Sequence, residues 1–429
     1  MTNNNIKLSI RGISIWCLAA MFYFFDNLLN VSPGVMKPEL SAAFNLSAAE
    51  LGILSSCYLW PYGLMQIPAG LLMDKVGPRI LFTIASLFCA IGSFIFAAAY
   101  ELEAAQIGRI LIGIGASFAV IGCLKITSVW FPNKKFALFT GLMVSVGMFG
   151  SASGVATVNY INQIMGWRHA TYCGAWVAIF LSVCMWLIIR DFPPTNTINK
   201  KHSLSSNLPL PQIKILLGLK KIISSKQIWA ASIFAGLMFV PTLAFGGLWG
   251  IPYLIEGYGL SRGLSGFLVS LIFIGWVFGG PIYGWISDRL CLRNAPMYFA
   301  NITTLIVSIM LIYIDNIPIP LIGLLMFLLG FFSSGFILAF VVTKESNPNQ
   351  LSGTAIGFIN TINTFSIAIL QWIIGKILDV TTTNATITDL GEKIFSHHDY
   401  QIALLSIPIC LVISLISLFT LKETYGKVL

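Results

Sequence analysis

Three ionisable side chains, Asp26, Arg109 and Lys125, stand inside otherwise apolar stretches in the first half of the sequence. A charge in hydrocarbon is unfavourable unless it is paired or hydrated, so residues of this kind are candidates for holding a polar solute or carrying a proton. Asn30 follows Asp26 by one helical turn, and Tyr58, Tyr62 and Gln66 recur at the same spacing, which puts each set on a single helical face. In the second half Trp249, Tyr253 and Glu256 form a stripe interrupted by Pro252, while Asn360 and Asn363 sit together with Gln371 further along the same side. The aromatic members equally suit packing or interfacial anchoring, and the amides equally suit bonding between helices. Arg109 and Lys125 lie about 160° apart around a helix at about 100° per residue, so they do not share a face.

Other chemistries find no support. There is no pair of carboxylates, ligand set or nucleophile with a base in one plausible site, which leaves a membrane-embedded enzyme as the weakest reading. The eight cysteines are scattered singly and read as small buried hydrophobes. His169, His202, His397 and His398 fall at helix ends or in loops, so neither a histidine relay nor a metal site is expected. No phosphate-cradling glycine loop occurs, and no soluble segment could house a nucleotide-binding domain. No cofactor is expected.

The elements that must position these residues are membrane helices. Hydrophobic residues make up 57% of the 429 and charged residues 10%, against a charged share of about 25% in soluble domains. A bilayer core about 30 Å thick takes about twenty apolar residues per helix. The sequence shows such runs rather than the short alternating segments of a barrel. Twelve spans are expected: 12–36, 51–73, 79–100, 104–131, 136–163, 167–190, 228–255, 264–287, 295–314, 319–343, 353–378 and 401–421. The apolar stretch after Lys7 and Arg11 is superficially like a signal peptide. It runs past Val31 without a small-residue cleavage pattern and contains Asp26, so it reads as a retained first helix.

The longest polar gap separates six helices from six, dividing the chain into a bundle 1–190, a linker 191–227 and a bundle 228–429. The linker is rich in Pro, Ser, Asn and Lys, and its apolar patches near Ile213 to Leu219 suit a short helix on the membrane surface. Placing both termini in the cytoplasm puts most of the 25 basic residues there, leaving Lys37, Arg168, Arg262, Lys376 and Lys393 on the opposite side. That asymmetry fixes the expected orientation. It also accounts for the net charge of +9 through the bilayer surface, with no nucleic-acid partner.

A repeat runs through the two halves. Gly70, Asp74, Lys75 and Arg79 after the second helix match Gly284, Asp288, Arg289 and Arg293 after the eighth at one constant offset, the mark of a duplicated six-helix unit. Cys291 stands in the second copy where Gly77 stands in the first. The stretch Gly70 to Arg79 resembles the loop signature G-x-x-x-D-[RK]-x-G-x-[RK] of the major facilitator superfamily, and both copies occupy the expected loop. Arg109 with Gly113 and Gly115 resembles that superfamily's helix-four signature, and Gly166-Trp167-Arg168 its entry to helix six. The phrases Val31 to Met36, Gln66 to Gly70 and Gly247 to Tyr253 look like the phagosomal nutrient transporter branch of intracellular bacteria, which implies uptake of amino acids or related solutes. Helix five has Gly147-Met148-Phe149-Gly150-Ser151 without the Gly-Pro pair associated with drug antiporters, against an efflux reading.

The resemblance implies an all-α protein of the inner (plasma) membrane, with twelve helices in two pseudo-symmetric six-helix bundles. It further implies a solute site between the halves, lined by helices one, four, seven and ten, that opens alternately to either side. A small polar nutrient moved with protons is the leading reading. An exporter, a siderophore or organic-anion carrier, or a non-transporting receptor are the alternatives. Two expectations are specific. The loop signatures should latch the cytoplasmic side, with Gly70 allowing close approach and Asp74 holding a helix N-terminus or an arginine. Asp26, about 21 Å along helix one, and Arg109, about 8 Å into helix four, should reach a similar depth, where movement of the bundles changes the carboxylate's proton affinity.

Overall fold

The computed structural model describes residues 10–131, 136–192, 220–347, 349–381, 386–387 and 393–425. Most of the expected linker, 193–219, including the stretch near Ile213, lies outside them. In the first half, α1 (Ile10–Val35) is followed by a short α2 (Lys37–Phe44) and then α3 (Ala48–Val76), α4 (Pro78–Ala98), α5 (Leu102–Ala116), α6 (Phe118–Trp130) and α7 (Phe136–Ile188). The second half has α8 (Lys226–Val240), α9 (Arg262–Leu290), α10 (Asn294–Tyr313), α11 (Ile319–Ser333), α12 (Ile337–Glu345), α13 (Asn349–Thr381), α14 (His397–Leu404) and α15 (Ser406–Leu418). A two-residue antiparallel pair, β1 (Thr386–Ile387) with β2 (Lys393–Ile394), holds the only strands among the described residues.

Among the described residues, ten segments are long and apolar enough to cross a bilayer, and the bent pair α2 and α3 makes an eleventh. The twelfth is hidden in α7, whose 53 residues would extend about 80 Å if straight, more than twice a hydrocarbon core. Gly166, at φ 80°, divides it. Before the break, Gly147, Gly150 and Gly154 pack on Tyr23, Phe24 and Leu28 of α1 in parallel order. After it, Ser182 bonds the Thr83 carbonyl and Ser86 bonds the Ala178 carbonyl, the antiparallel order of a returning helix. Trp167 seats the turn against Phe44 and Phe96, and Arg168 stacks on Trp167 while donating to the Ala99 carbonyl at 2.6 Å.

Side-chain placement inverts the soluble pattern. Trp176, Phe180, Val183 and Leu187, spaced to share one face of the returning arm, are exposed, as suits a lipid-facing stripe. Buried polar groups are instead joined between helices. Trp276 of α9 donates to both Thr242 and Ser333, at 2.8 and 2.9 Å, tying α9 to the irregular turns of two other helices in the second half. Cys89, Cys123 and Cys410 are buried, whereas Cys17, Cys173 and Cys291 are exposed, so the expectation of uniformly buried thiols needs correction. An apolar outer face costs nothing against lipid, so an apolar run does not dictate burial.

The four helices expected to line the site are all interrupted. α1 contains Pro33, Ser117 separates α5 from α6, π-helical turns at Pro241–Trp249 and Tyr253–Gly257 continue α8, and a 3-10 turn at Ser334–Phe336 separates α11 from α12. Such breaks release backbone groups from helical bonding and are tolerated where protein or a cavity satisfies them.

Candidate functional site

Helix geometry brings three of the sequence-selected residues to one place. Pro33 has no N–H to offer the carbonyl four residues earlier, so the Leu29 oxygen is freed from the helix ladder. Two donors take it: Ser32 Oγ at 2.9 Å and Arg109 Nη1 at 3.0 Å. One turn along α5, Gly113 lies so close to α3 that a Cβ would stand 2.2 Å from the Tyr58 carbonyl. That approach sets the Arg109 guanidinium over the Tyr58 ring, 4.9 Å from its centroid, in a cation–π contact. The Tyr58 hydroxyl in turn donates to Asp26, and its ring stacks on Tyr62. Asp26, Tyr58 and Arg109 are only 3%, 1% and 1% exposed, so all three are cut off from bulk water.

Tyr58 therefore stands between the acid and the cation. Among the described residues Asp26 makes no ion pair, and Arg109 keeps Nε and Nη2 without a hydrogen-bond partner. Nearby, Asn27 donates to the Tyr23 carbonyl at 2.8 Å and receives Ser151 from α7, a link that sequence spacing alone did not single out. Asn30 is half-buried one turn beyond Asp26, and Lys125 is half-buried on α6. Gln66 is buried with Nε2 unpartnered.

Across the bundle the second half contributes neutral groups. Asn360 is half-buried; Asn363 is buried with Oδ1 unpartnered, beside Gly236 of α8. The Gln371 side chain donates to the Leu243 carbonyl at 3.2 Å, and the Gln371 backbone carbonyl receives Trp249 Nε1 at 3.1 Å. Tyr253 is spent on the Leu311 carbonyl at 2.9 Å and packs on His397 and Tyr400. Both aromatic residues thus use their polar atoms inside the second half.

The two ends of the molecule differ. At the end carrying α2, charges cross between halves: Lys37 pairs with Glu256, Glu39 pairs with Arg262, and Arg262 also reaches the Val35 carbonyl. Asp379 accepts the free N–H groups of Ala48 and Ala49 at the start of α3, at 2.9 and 2.7 Å. Backbones touch there as well. A Cβ on Gly34 would lie 2.5 Å from the Gly247 carbonyl, and one on Gly52 2.6 Å from the Gln371 carbonyl. At the opposite end, carrying the two loop signatures, a Cβ on Gly70, Gly141, Gly280 or Gly284 would meet nothing within 4 Å. Among the described residues, ion pairs and close backbone approaches join the halves at the α2 end and none do so at the signature end, which leaves the halves parted there.

In this state the signature residues bind within their own halves. Arg79 donates Nε to the Trp186 carbonyl and stacks on the Trp186 ring, and its N–H is capped by Asp191 at 2.9 Å. Arg293 receives matching treatment, with its N–H capped by Glu423 at 2.8 Å. Its guanidinium binds Asp288 at 2.7 Å and, through two nitrogens, Glu345 at 2.7 and 3.2 Å. Burial opposes the charge on Arg293, but the bonds from Glu345 and Asp288 outweigh it and raise the pKa above the ordinary arginine value. Arg289 stacks on Trp285, Lys75 is exposed, and the Asp74 side chain lies outside the described residues. The close approach expected of Gly70 is absent here because the halves are parted at its end.

Comparison with known proteins fits this architecture. The zebrafish (Danio rerio) lysosomal dipeptide transporter MFSD1 is 26% identical over 84% of this chain and 78% of its own length. The probable galactarate/D-glucarate transporter GarP of Escherichia coli K12 is 23% identical over 89% of this chain and 92% of its own. Among solved structures, the D-xylose-proton symporter superposes with a TM-score of 0.73 at 15% identity, covering 97% of this chain and 99% of that one. The model of the Major Facilitator Superfamily matches residues 15–370, and with the duplicated loop signature and the two parted bundles this chain belongs to that superfamily.

Proposed function

We propose that this chain is a secondary active transporter that imports a small polar nutrient, an amino acid or a related solute, with protons by alternating access. The observation that carries the coupling is Asp26. It is a buried carboxylate held by the Tyr58 hydroxyl and by no fixed cation, so its charge is not locked into a structural pair. An acid so placed can bind and release a proton as the bundles move and its surroundings change.

The excess of basic residues in loops at the signature end supports a cytoplasmic position for that end, with both termini inside and the α2 end outside the inner membrane. The parted signature end then corresponds to an inward-facing state, and the latch expected there would engage when the halves rock the other way. Solutes in the relatives' names, dipeptides and sugar acids, are small and polar like the nutrient proposed, and the structural neighbour is a D-xylose-proton symporter.

Uptake into proteoliposomes with an imposed proton gradient tests the reading, using labelled amino acids, dipeptides and sugar acids. Wild-type protein should concentrate at least one of them. Asp26→Asn should lose gradient-driven accumulation but retain counterflow exchange. Unchanged accumulation and pH dependence in a folded Asp26→Asn protein would refute the role given to Asp26.

A further inference from the structure

Among the described residues, Arg109 is a buried cation without an anion: one nitrogen donates to the Leu29 carbonyl, and Nε and Nη2 have no partner. A guanidinium is always charged and presents a planar fork matched to a carboxylate, so a buried one left half-bonded is a vacancy for an oxyanion. The groups around it do not supply one. Asp26 is engaged by the Tyr58 hydroxyl, Tyr58 offers its ring face, and Cys57 is a thiol. Gln66, on the same helix as Tyr58, has no close partner for Nε2 but already lies beside the Tyr62 hydroxyl. Across the interface the buried amides of Asn363 and Gln371 leave acceptors, Oδ1 and Oε1, unpartnered. Arg109 thus offers spare donors, and these two amides of the second half offer spare acceptors.

We propose that Arg109 is the docking group for a carboxylate carried by the transported solute, and that Tyr58, tethered by Asp26, covers it until the solute arrives. The inference rests on the transport reading above and names the solute class within it: a small organic acid whose remaining polar groups donate to the second half. Tyr58 links the two events, because displacing its ring from the guanidinium also disturbs the hydroxyl that holds Asp26. An anion on Arg109 and a proton on Asp26 would together neutralise both buried charges before the halves rock.

The test compares acids with analogues that lack the carboxylate, using the purified full-length chain. Thermal shifts are measured with alanine against alaninamide, dialanine against its amide, and glucarate against glucitol. At least one acid should stabilise the wild type at a concentration at least tenfold below that needed by its partner. Arg109→Gln should abolish that preference, and Arg109→Lys should weaken it. Tyr58→Ala uncovers the guanidinium and should tighten binding of the same acid severalfold, a change that a merely structural tyrosine would not produce. No stabilisation by any acid, equal stabilisation by both members of every pair, or a folded Arg109→Gln protein that keeps the preference overturns the assignment. Uptake separates the two readings. Acid binding without gradient-driven accumulation would sink transport and leave the docking site, whereas accumulation of a solute without a carboxylate would sink the docking site and leave transport.

Discussion

Sealing of the α2 end should depend unequally on its two crossed ion pairs. Lys37 and Glu256 have side chains 8% and 14% exposed, whereas Arg262 and Glu39 are 20% and 27% exposed. Removing one partner of a buried pair costs about 3–5 kcal/mol, because the other charge stays dehydrated, while a more exposed pair is worth about 1 kcal/mol or less. The penalty applies only while this end is shut, since opening returns Lys37 to water. Glu256→Gln should therefore disfavour the sealed state by about 3 kcal/mol, which is about 150-fold at about 1.4 kcal/mol per tenfold. Glu39→Gln should shift it by no more than about fivefold. Spin labels at Ala43 and Gly263, exposed positions in the two halves at this end, would report the change as a longer distance population. The swapped pair Lys37→Glu with Glu256→Lys should restore the short one. Identical distance distributions for wild type and Glu256→Gln, or a larger effect from Glu39→Gln, would refute the ranking.

Other consequences follow from close packing and from the second signature. Gly34→Ala forces a methyl against the Gly247 carbonyl, 2.5 Å from its ideal position, so the same label pair should show opening without loss of folded protein. Glu345→Gln leaves Arg293 buried with only the exposed Asp288, and should lower thermal stability by about 3 kcal/mol. Asp288→Asn, removing a carboxylate that is 74% exposed, should cost less than about 1 kcal/mol, and calorimetry of the two variants tests the order. Trp276→Phe removes the donor shared by Thr242 and Ser333 and should destabilise by about 1–3 kcal/mol, read as a lowered melting temperature.

Much of the architecture was legible because membrane helices announce themselves by length and apolarity, and because the duplicated signature fixed where the halves begin to repeat. The break at Gly166 was legible too: the Gly166-Trp167-Arg168 phrase marked an end that continuous helical geometry along α7 obscures. Less of the site could be read. Asp26, Arg109 and Tyr58 stood out as polar residues in apolar surroundings, but the order in which they touch depends on two backbone events. Pro33 frees the Leu29 carbonyl, and Gly113 brings α5 against Tyr58. Neither event is visible in charge or periodicity alone. The short α2 escaped the expected spans because its eight residues include Lys37 and Glu39, yet those charges join the halves.

Charge is also distributed unequally between the bundles, and this bears on how they cooperate. Asp26 and Arg109 both lie in the first half, whereas the facing helices of the second half present amides, hydroxyls and aromatic rings. Charges placed on opposite bundles would attract strongly once water is excluded and would hold one state too tightly to leave. Under the proposed transport reading, charges confined to one bundle and separated by Tyr58 exchange partners while the facing amides and hydroxyls of the second half supply hydrogen bonds, which are individually weak. The strong ionic contacts between bundles are instead found at the α2 end, where hydration of the separated charges offsets much of their loss when that end opens. A transporter must cross between its two states repeatedly, and this division keeps the sealed state stable without making it permanent.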